Sequence, residues 1–425
     1  MQKTFLRQAL VALSLFGAAV PLSIPAAQAQ TYSAALQSKT NAAFQQWLEN
    51  DLWPQAQQRG ISRSVFNQSL SGVQLNWKLP DLVPPGTKPQ TPKQQTQSEF
   101  GSPANYFRKG TVDSVVSNGK VKLNAHKSLL AKIERDFGVP AGIVVAVWGR
   151  ESAFGAVKIP YNGFEVLATK AFMATRKDMF RAELLAALEI VQKGYMDSAH
   201  LKSSWAGALG QPQFMPTSYL KHAVDYDGDG RRDIWNSVPD TLASIAAYLQ
   251  HFGWQKGRDW GFEVNVPQNV SCSLEGPDQG KTFRDWTALG ITRVNGKAFP
   301  AQEMAQEGFL LMPAGRHGPA FIVTPNFYVL KNYNMSDLYA LFIGHMSDRM
   351  SYGAGGFQQG WGDVGGLYRS DVAVMQKRLQ KQGYDVGKPD GLAGFKTRRS
   401  IGVWQAKNGQ PATCFPDKAL VKAIR

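Results

Sequence analysis

The chain has 425 residues, with 47 Lys and Arg against 32 Asp and Glu and a formal net charge of +15. That length allows two or three domains with substantial cores, and that charge draws a protein towards nucleic acid, anionic lipid or an acidic wall polymer. No Lys/Arg run with interleaved aromatics supports nucleic acid, and two cysteines are too few for a disulfide scaffold.

In chain order, Lys3 and Arg7 precede an apolar run from Leu10 to Val20, and Ala27-Gln28-Ala29 supplies a small-x-small cleavage site. Residues 1–29 therefore read as a signal peptide, which puts the mature chain in the periplasm. The run is too short for a membrane anchor, no later segment is long enough to span, and no cysteine follows the cut for lipid attachment. Residues 34–79 carry helical patterning, with Phe44, Trp47, Leu48 and Leu52 at helical spacing and Ser62 placed to cap a further turn. Residues 80–103, rich in Pro, Gln and Thr, read as an extended connection. Residues 123–255 are mainly helical, whereas 262–327 alternate in the manner of short strands, as in Phe262-Glu263-Val264-Asn265-Val266. Helical patterning returns over 336–350. The glycine-rich stretch 353–366 reads as a flexible linker, with 356–365 at its centre. The fold class is thus mainly α with a small β-containing part (α+β), and the catalytic portion is expected to occupy 30–355.

Pro140 suits the first turn of a helix reaching about Ser152, on which Ile143, Val147 and Glu151 share one stripe. A carboxyl ending an apolar face is desolvated, which raises its pKa as a general acid requires. The competing reading is a Glu that is solvated or paired with Arg150. The segment 203–216, Ser-Ser-Trp-Ala-Gly-Ala-Leu-Gly-Gln-Pro-Gln-Phe-Met-Pro, is dense in small residues, amides and aromatics. Amides pair with hydroxyl and N-acetyl groups, and aromatic faces stack on sugar rings. Asp178, Glu183 and Glu189 lie on a charged helix that reads as a solvated face, so no second catalytic carboxylate is evident. The six His show no metal-ligand spacing, and neither a Gly-x-Ser-x-Gly elbow nor a P-loop occurs, so no catalytic cofactor is expected.

Glu151-Ser-Ala-Phe-Gly155, the 203–216 segment and the late Asn326-Phe-Tyr…Tyr333-Asn334…Tyr339 cluster together resemble the lytic murein transglycosylases of the membrane-bound transglycosylase B family. The resemblance spans roughly 36–350 and implies a lysozyme-like helical core. It also implies cleavage of peptidoglycan between N-acetylmuramic acid and N-acetylglucosamine with closure of a 1,6-anhydro ring. It makes Glu151 the acid/base, gives Ser204 and Gln213 the N-acetyl group and neighbouring sugar, and lines the cleft with Tyr248, Tyr333, Asn334, Tyr339 and Tyr106. Peptidoglycan glycan strands would be the partner, with other cell-wall enzymes as further partners. A hydrolytic muramidase and a catalytically silent wall-binding scaffold stay open as alternatives.

Asp225, Asp227, Asp229 and Asp233 occupy positions 1, 3, 5 and 9 of a loop with Gly230 at position 6 and the Arg231 carbonyl at position 7. That is the EF-hand arrangement, except that Asn236 replaces the bidentate Glu of position 12, so a weakly held structural Ca2+ is expected, the alternative being a metal-free turn that uses Asp and Gly for their local hydrogen bonds. From Ser370, which could cap a helix, Val372, Met375 and Leu379 form one apolar stripe, and two further helices follow. Residues 366–425 are similar to the small three-helix peptidoglycan-binding domain, which implies wall anchoring. Cys272 and Cys414 fall on either side of the presumed linker; they could pair in an oxidising compartment, but two separate buried thiols are the expectation.

Overall fold

A computed structural model describes residues 32–88, 102–364 and 366–424. The expected signal peptide lies outside the described residues, as does most of the Pro/Gln/Thr-rich connection. Among the described residues no helix is long and apolar enough to cross a membrane. The fold is mainly helical, with a small antiparallel sheet. The chain forms two compact units, each assembled from separate stretches. The first contains 32–88, 126–137 and 147–251; the second contains 102–125, 138–146 and everything from 252 onward.

In the first unit the helices Gly163–Met173 and Lys177–Gln192 pack together. Asn162 starts the former by accepting from Phe164 N (2.9 Å) and Glu165 N (3.2 Å). Leu167, Ala168, Ala171, Leu184 and Leu188 are then fully buried, each leucine contributing roughly 1.5–3 kcal/mol. Ser62 caps the helix Arg63–Leu70, as its position suggested. Glu183 does not face solvent as expected. It is buried, and its two oxygens accept from the amide and hydroxyl of Thr217, both at 2.8 Å. A helix start has unpaired N–H groups, and Glu183 supplies the acceptor for the helix Pro216–His222.

In the second unit a five-stranded sheet runs in the order Lys281–Thr282, Glu307–Leu311, Ala320–Val323, Gly261–Asn265, Thr292–Arg293, with every pair antiparallel. The alternation at 262–266 is realised here: Phe262 and Val264 enter a core with Phe283, Trp286, Leu310 and Ile322. Gly308 admits no side chain, because a Cβ would sit 2.6 Å from Ile322 and 2.8 Å from Phe283.

The glycine-rich stretch is not loose. Phe357 stacks on His345 with centroids 4.0 Å apart, and Trp361 stacks on Phe107 at 5.3 Å. The amides of Gln358 and Gln359 donate to the Glu263 carboxylate at 3.0 and 2.8 Å. Beyond it, the helices Arg369–Lys381, Phe395–Lys407 and Lys418–Ala423 enclose Met375, Leu379, Ile401 and Ile424. Ser370 falls inside the first turn; the cap is Tyr368, whose amide donates to Asp371.

The expectation of two separate thiols is overturned. Cys272 and Cys414 form a disulfide that closes a separation of 142 residues. Both belong to the second unit, and Gly402 makes room for them, since a Cβ there would lie 2.2 Å from Cys414 Sγ. Replacing both cysteines with Ser should lower stability by about 2–4 kcal/mol, because the open chain regains loop entropy. Thermal melts check this: reductant should bring the wild type down to the double variant and leave the variant unmoved.

Candidate functional site

The helix Ala141–Ser152 carries Val144, Val145, Ala146 and Val147 fully buried and ends one residue after Glu151, which is half-buried. What stops the helix is unusual. Ala153, Phe154 and Gly155 follow with φ of 48°, 60° and 80°, three successive left-handed residues. For Ala and Phe each such conformation costs on the order of 1–2 kcal/mol and persists only where neighbours enforce it. The Phe154 ring stands edge-on to buried Trp148, centroids 5.6 Å apart, and lies over Gly149, where a Cβ would meet it at 2.5 Å. Phe154 N reaches back to Trp148 O (3.3 Å), and Ser152 Oγ donates to that carbonyl (3.2 Å) while accepting from Gly155 N (3.1 Å).

The second component is 203–216. Ser204 N donates to Ala208 O (2.8 Å), and Ser204 Oγ accepts from Ala208 N (3.2 Å), closing a tight turn through Gly207 at φ 85°. Leu209 and Phe214 exchange both backbone bonds, and between them Gln213 takes φ 54° and donates Nε2 to Gly210 O (2.9 Å). Gln211 links this segment to the Glu151 helix. Its Oε1 accepts from Trp148 Nε1 (2.7 Å) and its Nε2 donates to Trp235 O (2.9 Å). Lys170 lies beneath: it is almost wholly buried, with Nζ 5.0 Å from the Trp205 ring centroid and 5.1 Å from that of Phe180. Burial pulls its ammonium down to about 8. Gln211 and Lys170 were missed from sequence; an amide inside the 203–216 motif was the only signal for the former, and nothing marked the latter.

Tyr248 is also in the first unit, largely buried, with its ring 5.5 Å from Phe214 and 4.9 Å from His222. Burial pushes the phenol up to about 12 and holds the His222 imidazole down at about 4. The remaining expected site residues lie in the second unit. Tyr106 is buried edge-on to Phe342 (5.7 Å). Tyr333 and Tyr339 are parallel with centroids 6.4 Å apart, and exposed Asn334 accepts from Ser336 N (3.1 Å) in the turn between their helices.

In the acidic loop, ligand oxygens of Asp225, Asp227 and Asp229 lie within 4.8 Å of one another, all on exposed residues. Asp233 is turned instead to Asn236, accepting from its amide (2.9 Å) and side chain (3.0 Å). The loop is organised by a residue outside the motif. Fully buried Asp240 accepts from Tyr226 N and Asp233 N, both at 2.8 Å. Three convergent carboxylates are a donor set for a hard cation such as calcium.

Gly155→Ala should be costlier than an ordinary left-handed glycine, because its Cβ would lie 2.4 Å from Gln211 Oε1. Gly194, at φ 71° with nothing within 4 Å, is the control. Gly194→Ala should lower stability by about 1 kcal/mol, and Gly155→Ala by about 2–3 kcal/mol with loss of activity. Equal denaturation midpoints would show that the Gln211 contact carries no weight.

The family model for the transglycosylase SLT domain matches residues 43–348, and that for a peptidoglycan binding domain matches 368–424. The chain is 30% identical over 260 residues to membrane-bound lytic murein transglycosylase B of Escherichia coli, covering 60% of this chain and 69% of that protein. SltB3 of Pseudomonas aeruginosa, solved with NAG-NAM-pentapeptide, is 36% identical with a TM-score of 0.81, over 90% of this chain and 99% of its own. The Escherichia coli lytic transglycosylase Slt35, solved with calcium, is 29% identical with a TM-score of 0.52, over 60% and 80%.

Proposed function

Because the chain belongs to the transglycosylase SLT family, as a peptidoglycan lytic transglycosylase, we propose that Glu151 alone supplies its acid/base chemistry and that the product carries a 1,6-anhydromuramoyl end. Glu151 donates its proton to the oxygen linking N-acetylmuramic acid to N-acetylglucosamine, and the C1–O bond breaks. The positive charge left on the muramoyl C1 is shared by the oxygen of that sugar's own N-acetyl group. The Glu151 carboxylate then removes the proton of the C6 hydroxyl as its oxygen bonds C1, so no water is consumed and Glu151 ends protonated for the next turnover.

The observation that carries this reading is the buttressed, left-handed helix end immediately after Glu151. Three further carboxylates of the first unit are engaged elsewhere, which favours a lone acid over the two-carboxylate arrangement of ordinary glycosidases. Glu183 serves Thr217, Asp240 serves the acidic loop, and Glu165 Oε1 accepts from Asn76 (2.6 Å). Ser204 and Gln213 hold the N-acetyl group and adjoining sugar, and Tyr248, Tyr333, Asn334, Tyr339 and Tyr106 line the substrate path. The enzyme works in the periplasm after loss of 1–29, and residues 368–424 hold it to the wall.

Glu151→Gln should abolish clearing of purified sacculi, by a factor on the order of 10²–10⁴, while sedimentation with sacculi persists. Mass spectrometry of wild-type products should give muropeptides one water lighter than reducing-end species. Reducing ends would instead mean a muramidase, and clearing by the variant would mean that Glu151 is structural.

We further propose that the acidic loop binds calcium through Asp225, Asp227 and Asp229 with the Arg231 carbonyl and Asp233, as a brace rather than a participant. The absence of a position-12 Glu puts the dissociation constant at about 10⁻⁴–10⁻³ M. Calorimetric titration should show one site in that range, calcium should raise the melting temperature, and Asp225→Ala should remove both responses. A melting temperature indifferent to millimolar calcium would end the proposal.

A further inference from the structure

We infer that Arg398, in the wall-binding part of the chain, is a positioning residue for the substrate wall formed by Tyr333, Asn334 and Tyr339. The inference rests on the proposed role of those three residues.

Arg398 lies on the helix Phe395–Lys407, and its side chain is 4% exposed. Its Nε and Nη2 donate to the wholly buried Glu275 carboxylate, Nη1 donates to Ala393 O (2.7 Å), and Nη2 also reaches Asp337 Oδ2 (2.9 Å). Asp337 opens the helix Asp337–Ser351, and its other oxygen takes the Lys331 ammonium from the helix Pro325–Tyr333. One carboxylate thus ties together the two helices whose connecting turn holds Asn334 and whose ends carry Tyr333 and Tyr339. Within that turn Asn334 accepts from Ser336 N (3.1 Å), and Ser336 Oγ accepts from Tyr339 N (3.4 Å).

Two carboxylates, wholly buried Glu275 and partly exposed Asp337, face two cations, Arg398 and Lys331. Burial acts to raise the Asp337 carboxyl, but Lys331 and Arg398 outweigh it and hold it below the usual carboxylate range, whereas burial raises the Glu275 carboxyl even with Arg398 beside it. A buried ionic network is poor evidence of net stabilisation, since apolar groups of similar shape often serve as well. Its distinctive consequence is geometric: a planar, forked guanidinium fixes both carboxylates at set angles. The base of the network is also pinned, because Glu275 follows the turn Cys272–Leu274, which the disulfide joins to Cys414.

The test uses the full-length enzyme and a soluble, wall-free glycan tetrasaccharide with its stem peptides, on which a mere anchor has no effect. Arg398→Lys keeps a charge for Glu275 but loses the fork, and Asp337→Asn keeps the shape but loses the charge that Lys331 and Arg398 grip. Both should raise KM for the soluble substrate about tenfold and leave kcat within about twofold, with sedimentation on sacculi unchanged. An unaltered KM in a folded variant, judged by a single cooperative melt, overturns the inference. Should Arg398→Lys fail to fold, Asp337→Asn decides. Tyr333→Ala separates the layers: if it leaves KM unchanged, the assignment of the tyrosines to the substrate path has failed, whatever Arg398 does.

Discussion

A donor that leaves water on folding has to find an acceptor, and the indole N–H of Trp148 finds one in the side chain of Gln211. That single pairing settles much of the geometry around Glu151. Trp148 sits almost one helical turn before Glu151, so fixing the indole fixes the last turn of the helix. The other end of the same amide is spent on Trp235 O, which draws in the end of the acidic loop. The Phe154 ring then has one place to go, across Gly149 and against the indole, and it can reach that place only if the backbone turns left-handed at once. The strain at Ala153 and Phe154 is offset by this packing. The proposed role of Glu151 as general acid fits such an arrangement, because its proton has to be delivered along one direction.

Much of the local structure was legible in the sequence because it depends on near neighbours. Ser62 marks a helix start because its hydroxyl accepts from the Val65 amide, and Phe262 and Val264 mark a strand by alternation. The acidic loop was legible as a loop for the same reason. What escaped was every feature whose meaning lies in a distant partner. Glu183 looks like one charge on a charged helix until Thr217, 34 residues later, presents an unpaired amide. Asp240 lies outside the loop motif yet gathers its amides. Gln211 and Gln213 are indistinguishable by type and differ only because Gln213 takes a positive φ. Of the expected site residues, Glu151, Ser204, Gln213 and Tyr248 fall in one compact unit, and the other four in the second.

Composition misled at the glycine-rich stretch for a related reason. Glycine there permits a flexible chain but does not require one, and two aromatic side chains among the glycines were enough to hold it. With the disulfide and the Arg398 network added, the last sixty residues become part of the same compact unit as the sheet. A family boundary near residue 366 is therefore not a mechanical boundary.

That matters for how such an enzyme meets an insoluble polymer. A module on a loose tether raises the local concentration of the catalytic part over everything the tether can reach, and it does so without regard to orientation. Here the wall-binding helices are clamped by a disulfide and buried ions to the rest of the second unit, with no loose tether between them and the sheet. The same clamp that fixes the wall-binding helices also ends on Asp337, at the foot of the Tyr333–Tyr339 turn. The buried Arg398 guanidinium thus joins the wall-binding helices directly to the foot of the Tyr333–Tyr339 turn.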